Sequence, residues 1–271
     1  MSYNNFKQTF WSKHIQRELE KLCVLQEDCD YQFEGEAKHG EKVKILGVSR
    51  PTISTYTGAS IGDPETVEDS SMFLEINQAK YFNFLVDDID KAQSKEGLME
   101  KLTEEASAGL AEARDSYIAS LSISAGNFSQ STAVSTPEQA KQLIDDAFVA
   151  LWNNGVKISA KTSIAIPPWF YNIFKNNLIE ISTDNTALIK NGVVGRYNGA
   201  TVKISDNLYF DGTDEHLIVR TNKAIAFASQ IEKTEAYRPH GLFADALKGL
   251  DVYGAKVVRP KEMYIIKARE A

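Results

Sequence analysis

Catalysis in this 271-residue chain would have to start from few side chains: four histidines, His14, His39, His216 and His240, and two cysteines, Cys23 and Cys29. A redox pair or a zinc half-site needs close thiols, as in Cys-x-x-Cys. Here five residues separate the two cysteines, in an acidic stretch, and no second Cys/His pair completes a tetrahedral set. Two free thiols in a reducing interior are expected. There is no Gly-x-Ser-x-Gly elbow, and no histidine lies near either cysteine in sequence. Each histidine reads as a surface or turn residue, while a triad built from distant segments stays open.

Four other patterns invite a chemical reading. Gly58-Ala59-Ser60-Ile61-Gly62 lacks the Gly-Lys-Ser/Thr that would follow in a phosphate loop, so turn flexibility is its expected role. Asp87-Asp88-Ile89-Asp90 resembles a metal cluster, but it precedes a helical pattern, where carboxylates stabilise the positive end of the dipole. Asp145-Asp146 falls mid-helix with no histidine nearby and reads as a solvated face. Trp169-Phe170-Tyr171 could stack on bases, yet it follows Pro167-Pro168 without interleaved Arg or Lys, which favours packing. No catalytic, cofactor-binding or metal site is expected.

The bulk composition agrees. Thirty Lys+Arg against 37 Asp+Glu give a net charge of −7, and the pI near 5.3 argues against a dedicated nucleic-acid binder. The start, MSYNNFKQTF, has no apolar signal core, and no stretch approaches 18 apolar residues. Assembly in the cytoplasm, without a membrane, is expected.

Periodicity supplies the elements. Phe6, Phe10, Trp11, Ile15, Leu19 and Leu22 recur at helical spacing over 6–25, in a locally basic segment that serves either core packing or docking on a partner. Residues 31–86 read as β structure: Val43-x-Ile45, Ile53-x-Thr55 and Phe82-x-Phe84-x-Val86 alternate, and a Gly/Ser/acid-rich tip with Pro64 divides them as in a long hairpin. The outgoing stretch carries Lys38, Lys42, Lys44 and Arg50 against Glu41. The tip and the return as far as Glu75 carry Asp63, Glu65, Glu68, Asp69 and Glu75 with no basic residue.

A helix is predicted over 96–121, about 39 Å long at ~1.5 Å per residue. Its apolar stripe is Met99, Leu102, Ala106, Leu110, Ala113, Tyr117 and Leu121, with charged residues on the other face. A Ser/Thr-rich linker follows from Gly126. A second helix opens on Thr136 as N-cap, with Pro137 at the first helical position and Gln139 at the third, and stops at Asn154-Gly155. Short strands then alternate with turns: Ser163–Ile166, two within 191–210 with Gly192, Gly195 and Gly199 at bends, Leu217–Arg220, Ala224–Ser229, and a pair flanking Pro260.

This order, with three stretches in it, resembles the major capsid proteins of tailed bacteriophages, whose fold encapsulins share. LEINQAKYFNFLVDDIDKAQS (74–94) looks like the family's return strand into its spine helix. NGVVGRYNGATVKISDNL (191–208) is similar to its glycine-punctuated axial segment. AIAFASQIEKTEAYRPHGLFADALKGLDVYGAKVVRP (224–260) looks like the passage from the axial to the peripheral domain.

The resemblance implies an α+β fold. Its parts would be an N-terminal arm (1–34), an extended β-hairpin loop (35–86), a peripheral domain with the spine helix (87–132 and 236–271) and an axial α/β domain (133–235). It implies a shell of hexamers and pentamers in an icosahedral head that encloses double-stranded DNA without reading its sequence. Expected partners are further copies of the chain, a separate scaffolding protein, a portal and, as a further candidate, a decoration protein. Inter-subunit contacts would fall on Lys42, Lys44, Arg50, Asp63, Glu65, Glu68 and Asp69 of the loop and Phe10, Trp11 and Ile15 of the arm. Some relatives weld subunits through a Lys–Asn isopeptide bond. Nothing marks Lys42 or Lys44 as reactive, and non-covalent assembly is expected. The alternatives are an encapsulin-like cage around a cargo enzyme and an unrecognised hydrolase using His216 or His240.

Overall fold

The computed structural model describes residues 22–33, 42–48, 53, 69–87, 98–175 and 193–271. In chain order it begins with strands β1 (Lys42–Val48), β2 (Asp69–Glu75) and β3 (Gln78–Asp87), followed by helix α1 (Leu98–Ser120). Next come β4 (Asn127–Phe128), β5 (Thr132–Val134), α2 (Pro137–Asn153), β6 (Thr162–Ile166) and α3 (Pro168–Phe174). Strands β7 (Val193–Tyr197), β8 (Ala200–Ile204), β9 (Glu215–Thr221), β10 (Ile225–Tyr237), β11 (Ala244–Val257) and β12 (Met263–Glu270) complete it.

Three sheets result. A seven-stranded sheet runs β4-β12-β9-β6-β8-β7, with β5 also on β12. Strand β6 is buried throughout, and α2 and α3 cover the sheet with Ile144, Phe148, Leu151, Phe170 and Phe174. The aromatic run Trp169-Phe170-Tyr171 is therefore packing material: Phe170 is fully buried, and Trp169 donates its indole N–H to Glu215 at 2.8 Å. Helix α2 starts as its sequence dictates. The Gln139 amide N–H donates to Thr136 Oγ1 at 3.3 Å, and the Gln139 side chain accepts the Thr136 N–H. Asn198 (φ 48°) and Gly199 (φ 81°) make the tight turn between β7 and β8, which needs two residues in the left-handed region.

The second sheet, β10-β11-β3, is antiparallel and carries α1 on one face. The third is the β1–β2 hairpin, in register from Lys42↔Glu75 to Val48↔Asp69.

Four expectations are corrected. The hairpin ends at Glu75: β3 was taken as its return arm but pairs with β11, from Tyr253↔Gln78 to Ala244↔Asp87. The 235/236 boundary does not follow the sheets, since β12 lies inside the seven-stranded sheet and β10 pairs with β11. The linker after Gly126 contains β4 and β5, which occupy one edge of β12. In the basic N-terminal segment the helix does not extend to residue 25, because Gln26–Asp28 form a 3-10 turn whose preceding residues are irregular. Residues 6–21 and Thr55 lie outside the described residues, and Ile53 is in no strand.

Helix α1 confirms the predicted spine, yet it is rotated. Its buried residues are Thr103, Ser107, Leu110, Ala111, Arg114, Asp115, Ile118 and Ala119. Leu102, Ala106, Ala113 and Tyr117 of the expected stripe are only half-buried. The interior takes a polar line because ionic partners wait there.

Candidate assembly surfaces

Two places hold the side chains expected to meet other subunits. The first is the hairpin. Val43, Ile45 and Leu74 point inward and pack with Ile76 against Ala226 and Ala228 of β10, so Lys42 and Lys44 are turned to solvent. The Lys42 ammonium lies 2.7 Å from the Glu75 carboxylate directly across the hairpin, and that bond holds the carboxyl below its usual range. Both side chains are about half exposed, so the pair adds little stability. At this end of the hairpin the opposite charges of the two stretches meet within one chain. The backbone of Asp69 pairs with Val48. Arg50, Asp63, Glu65, Glu68, Phe10, Trp11 and Ile15 lie outside the described residues.

The second place is residues 23–30, where the N-terminal segment joins the body. Asp115 of α1 accepts the backbone N–H groups of Val24, Leu25 and Gln26 at 2.7, 3.1 and 3.2 Å. Burial nevertheless raises its pKa, outweighing these bonds. Arg114 grips Asp251 of β11 at two points and donates to the Gln26 side chain at 3.2 Å. Its guanidinium also lies over the rings of Tyr253 and Phe227, 5.5 and 5.7 Å from their centroids. Lys203 of β8, itself buried, donates to Glu27 at 2.7 Å, Asp28 at 2.9 Å and the Val24 carbonyl at 3.2 Å. Arg220 of β9 donates to the Leu25 carbonyl and lies 3.4 Å from Cys29 Sγ. Asp30 then bridges to Ala226 as a short parallel strand contact.

Segment 23–30 is thus held jointly by both larger sheets and by α1. None of these partners was singled out in the sequence, since each looks like an ordinary surface charge. An unusual number of charges beside the apolar Cys23–Leu25 and Cys29 would have been the only local cue. Cys23 and Cys29 are buried and free of disulfide, and burial pushes both thiols up, away from reactivity.

Of the two histidines held open for hydrolysis, His240 is exposed in a loop, but His216 is 3% exposed, correcting its reading as a turn residue. Its Nδ1 is 2.9 Å from Ser122 Oγ and its Nε2 3.4 Å from Asp211. This resembles a nucleophilic triad in composition. Ser122, however, is wholly enclosed at 0% exposure, so its hydroxyl cannot reach a substrate. Asp145 is also more than a solvated charge: it accepts from Tyr197 at 2.7 Å and Asn198 at 3.2 Å, tying α2 to the β7–β8 turn. Among the described residues no group of three His, Cys, Asp or Glu could hold a metal ion, and no helix is long and apolar enough to cross a membrane.

Neither a protein-family model nor a curated protein matches the chain. Solved structures do. A structure from Mycobacterium phage Che8 is 29% identical, with 90% of each chain covered and a TM-score of 0.73. The capsid structure of the cyanophage P-SCSP1u is 17% identical, covering 86% of this chain and 85% of that one at a TM-score of 0.67. The chain has the tailed-phage major capsid fold. A virus-like particle from Pyrococcus furiosus has the same capsid fold. It is 12% identical and covers 96% of this chain and 99% of that one at a TM-score of 0.61. In this capsid fold, α1 is the spine helix, and the β1–β2 hairpin stands where the extended loop was expected.

Proposed function

We propose that the protein is the major capsid protein of a tailed phage or prophage, and that it builds an icosahedral head around double-stranded DNA. The observation that carries this reading is the likeness to the Che8 structure over nine-tenths of both chains, at 29% identity. The subunit would form hexamers and pentamers through the region of α2, α3 and the seven-stranded sheet, with the hairpin reaching a neighbour. It would assemble in the host cytoplasm and end in the virion. A separate scaffolding protein, a portal and a decoration protein are the further proposed partners. A net charge of −7 suits a container that holds DNA without gripping it.

The Pyrococcus furiosus particle supports a second reading, an encapsulin-like cage around a cargo enzyme. Electron microscopy of the purified chain, alone and coexpressed with a scaffold, separates them. Capsomers or shells are expected, and a persistent monomer under assembly conditions would refute both readings. Small uniform shells that form without scaffold and carry a copurifying enzyme would select the cage.

A further inference from the structure

The hairpin meets the body at one very close crossing. The chain leaves β2 through Glu75 and Ile76 directly over Gly254 of β11. A Cβ at Gly254 would fall on the Glu75 carbonyl oxygen and within 2.9 Å of Ile76 Cα, both main-chain atoms that cannot rotate away. Gly254 pairs with Ala228, and Ala226 lies two residues along the same face. These small residues make the bed on which Leu74, Ile76, Val43 and Ile45 pack. Beside them the Lys256 ammonium donates to the Phe73 carbonyl at 2.9 Å. Backbone contact, apolar packing and one hydrogen bond thus grip the same end of the hairpin, and all three gripping parts belong to β10 and β11.

We propose that Gly254 is a positioning residue that sets the direction in which the hairpin leaves the body, and through it the geometry of the assembled shell. This rests on the shell reading above. Each hairpin strand has seven residues, about 23 Å at ~3.3 Å per residue, so a turn of ~15° at the root would move the far end by roughly 6 Å. A displacement of that size would carry contacts at the far end off their partners, while the subunit core is left alone.

The test has two readouts. The first is the distance between spin labels at Ser70→Cys on β2 and Lys141→Cys on α2, measured in the unassembled chain, with Cys23 and Cys29 buried. Gly254→Ala and, separately, Lys256→Met should shift or broaden that distance by several ångströms. The second is the diameter and closed fraction of the particles by electron microscopy, which should change in both variants. Ile164→Val, a core change in β6 of the seven-stranded sheet, in a different cluster from the hairpin's, should lower the melting temperature and leave particle geometry as in the wild type. If Gly254→Ala does not fold, Lys256→Met decides alone. An unchanged distance in the folded variants, or wild-type diameter and closure despite a changed distance, would overturn the inference. Failure of the wild type itself to form shells would count against the shell reading, and the distance would still report on the hairpin root.

Discussion

Arg114 and Asp251 are held together by two hydrogen bonds, one of 2.7 Å from Nε, with both side chains almost wholly enclosed. They lie on α1 and β11, so the pair joins the spine to the three-stranded sheet across 137 positions of sequence. Removing one partner leaves a buried, uncompensated charge. Arg114→Met or Asp251→Leu alone should therefore destabilise the unassembled subunit by about 3–5 kcal/mol. The double replacement should recover most of that loss. Urea unfolding of the four-member cycle measures it, and additive losses would show that the pair is not coupled.

Lys203 is the one cation that β8 offers to segment 23–30. Lys203→Met strands Asp28, whose side chain is 7% exposed, and should loosen that segment before it unfolds the seven-stranded sheet. Limited proteolysis followed by mass spectrometry should show faster cleavage at Glu27, with the fragment from Pro137 onward still resistant. Cleavage at the wild-type rate would mean that the Asp115 and Arg220 contacts suffice without it.

His216 is expected to make the subunit acid-sensitive. Burial lowers its pKa, opposed by Asp211 and Asp214 and reinforced by Lys267. The folded state therefore resists a proton that the unfolded chain accepts near pH ~6.5, its ordinary value. The contribution is complete above that pH and is lost as pH falls toward the lower folded value, with a slope of at most ~1.4 kcal/mol per pH unit. His216→Asn should flatten this part of the profile. Melting temperatures at pH 5, 6 and 7.5 for both proteins test it, and parallel profiles would refute it.

The acidic tip carries the remaining prediction. Neutralising Asp63, Glu65, Glu68 and Asp69 to their amides should lower assembly yield and weaken its salt dependence, with the subunit's circular dichroism unchanged. Neutralising Lys42 with Glu75 should do much less, because those two charges already satisfy each other. Equal yields for all three proteins across a salt series would remove the tip from the interface.

The sequence was informative wherever structure depends on neighbouring residues. Thr136, Pro137 and Gln139 announce the start of α2, Asn198-Gly199 announces a turn, and the length of the spine follows from its periodicity. The phase of that helix was misread because apolar spacing weighs Arg114 and Asp115 as solvent-facing. Their partners, Asp251 and residues 24–26, are remote in sequence and leave no local trace. His216 failed for the same reason: Ser122 and its seat beneath the 3-10 turn at Leu121–Ser124 come from another part of the chain. The assignment of β3 to the hairpin failed because alternation reveals a strand without revealing its partner. The resemblance to capsid proteins was legible because it rested on the order of many elements, which survives errors in any one.

The pairing of β3 with β11 bears on how the subunit is made. Tyr81 waits for Leu250, so during synthesis the strand and the spine helix behind it emerge long before their sheet can close. The ribosome presents this apolar edge while about 170 further residues, from Asp87 to Val257, are synthesised, and contacts of such high sequence separation form slowly. Soluble yield should consequently be limited by the nascent chain, and slower translation at low temperature or a holding chaperone should raise it without altering the finished subunit.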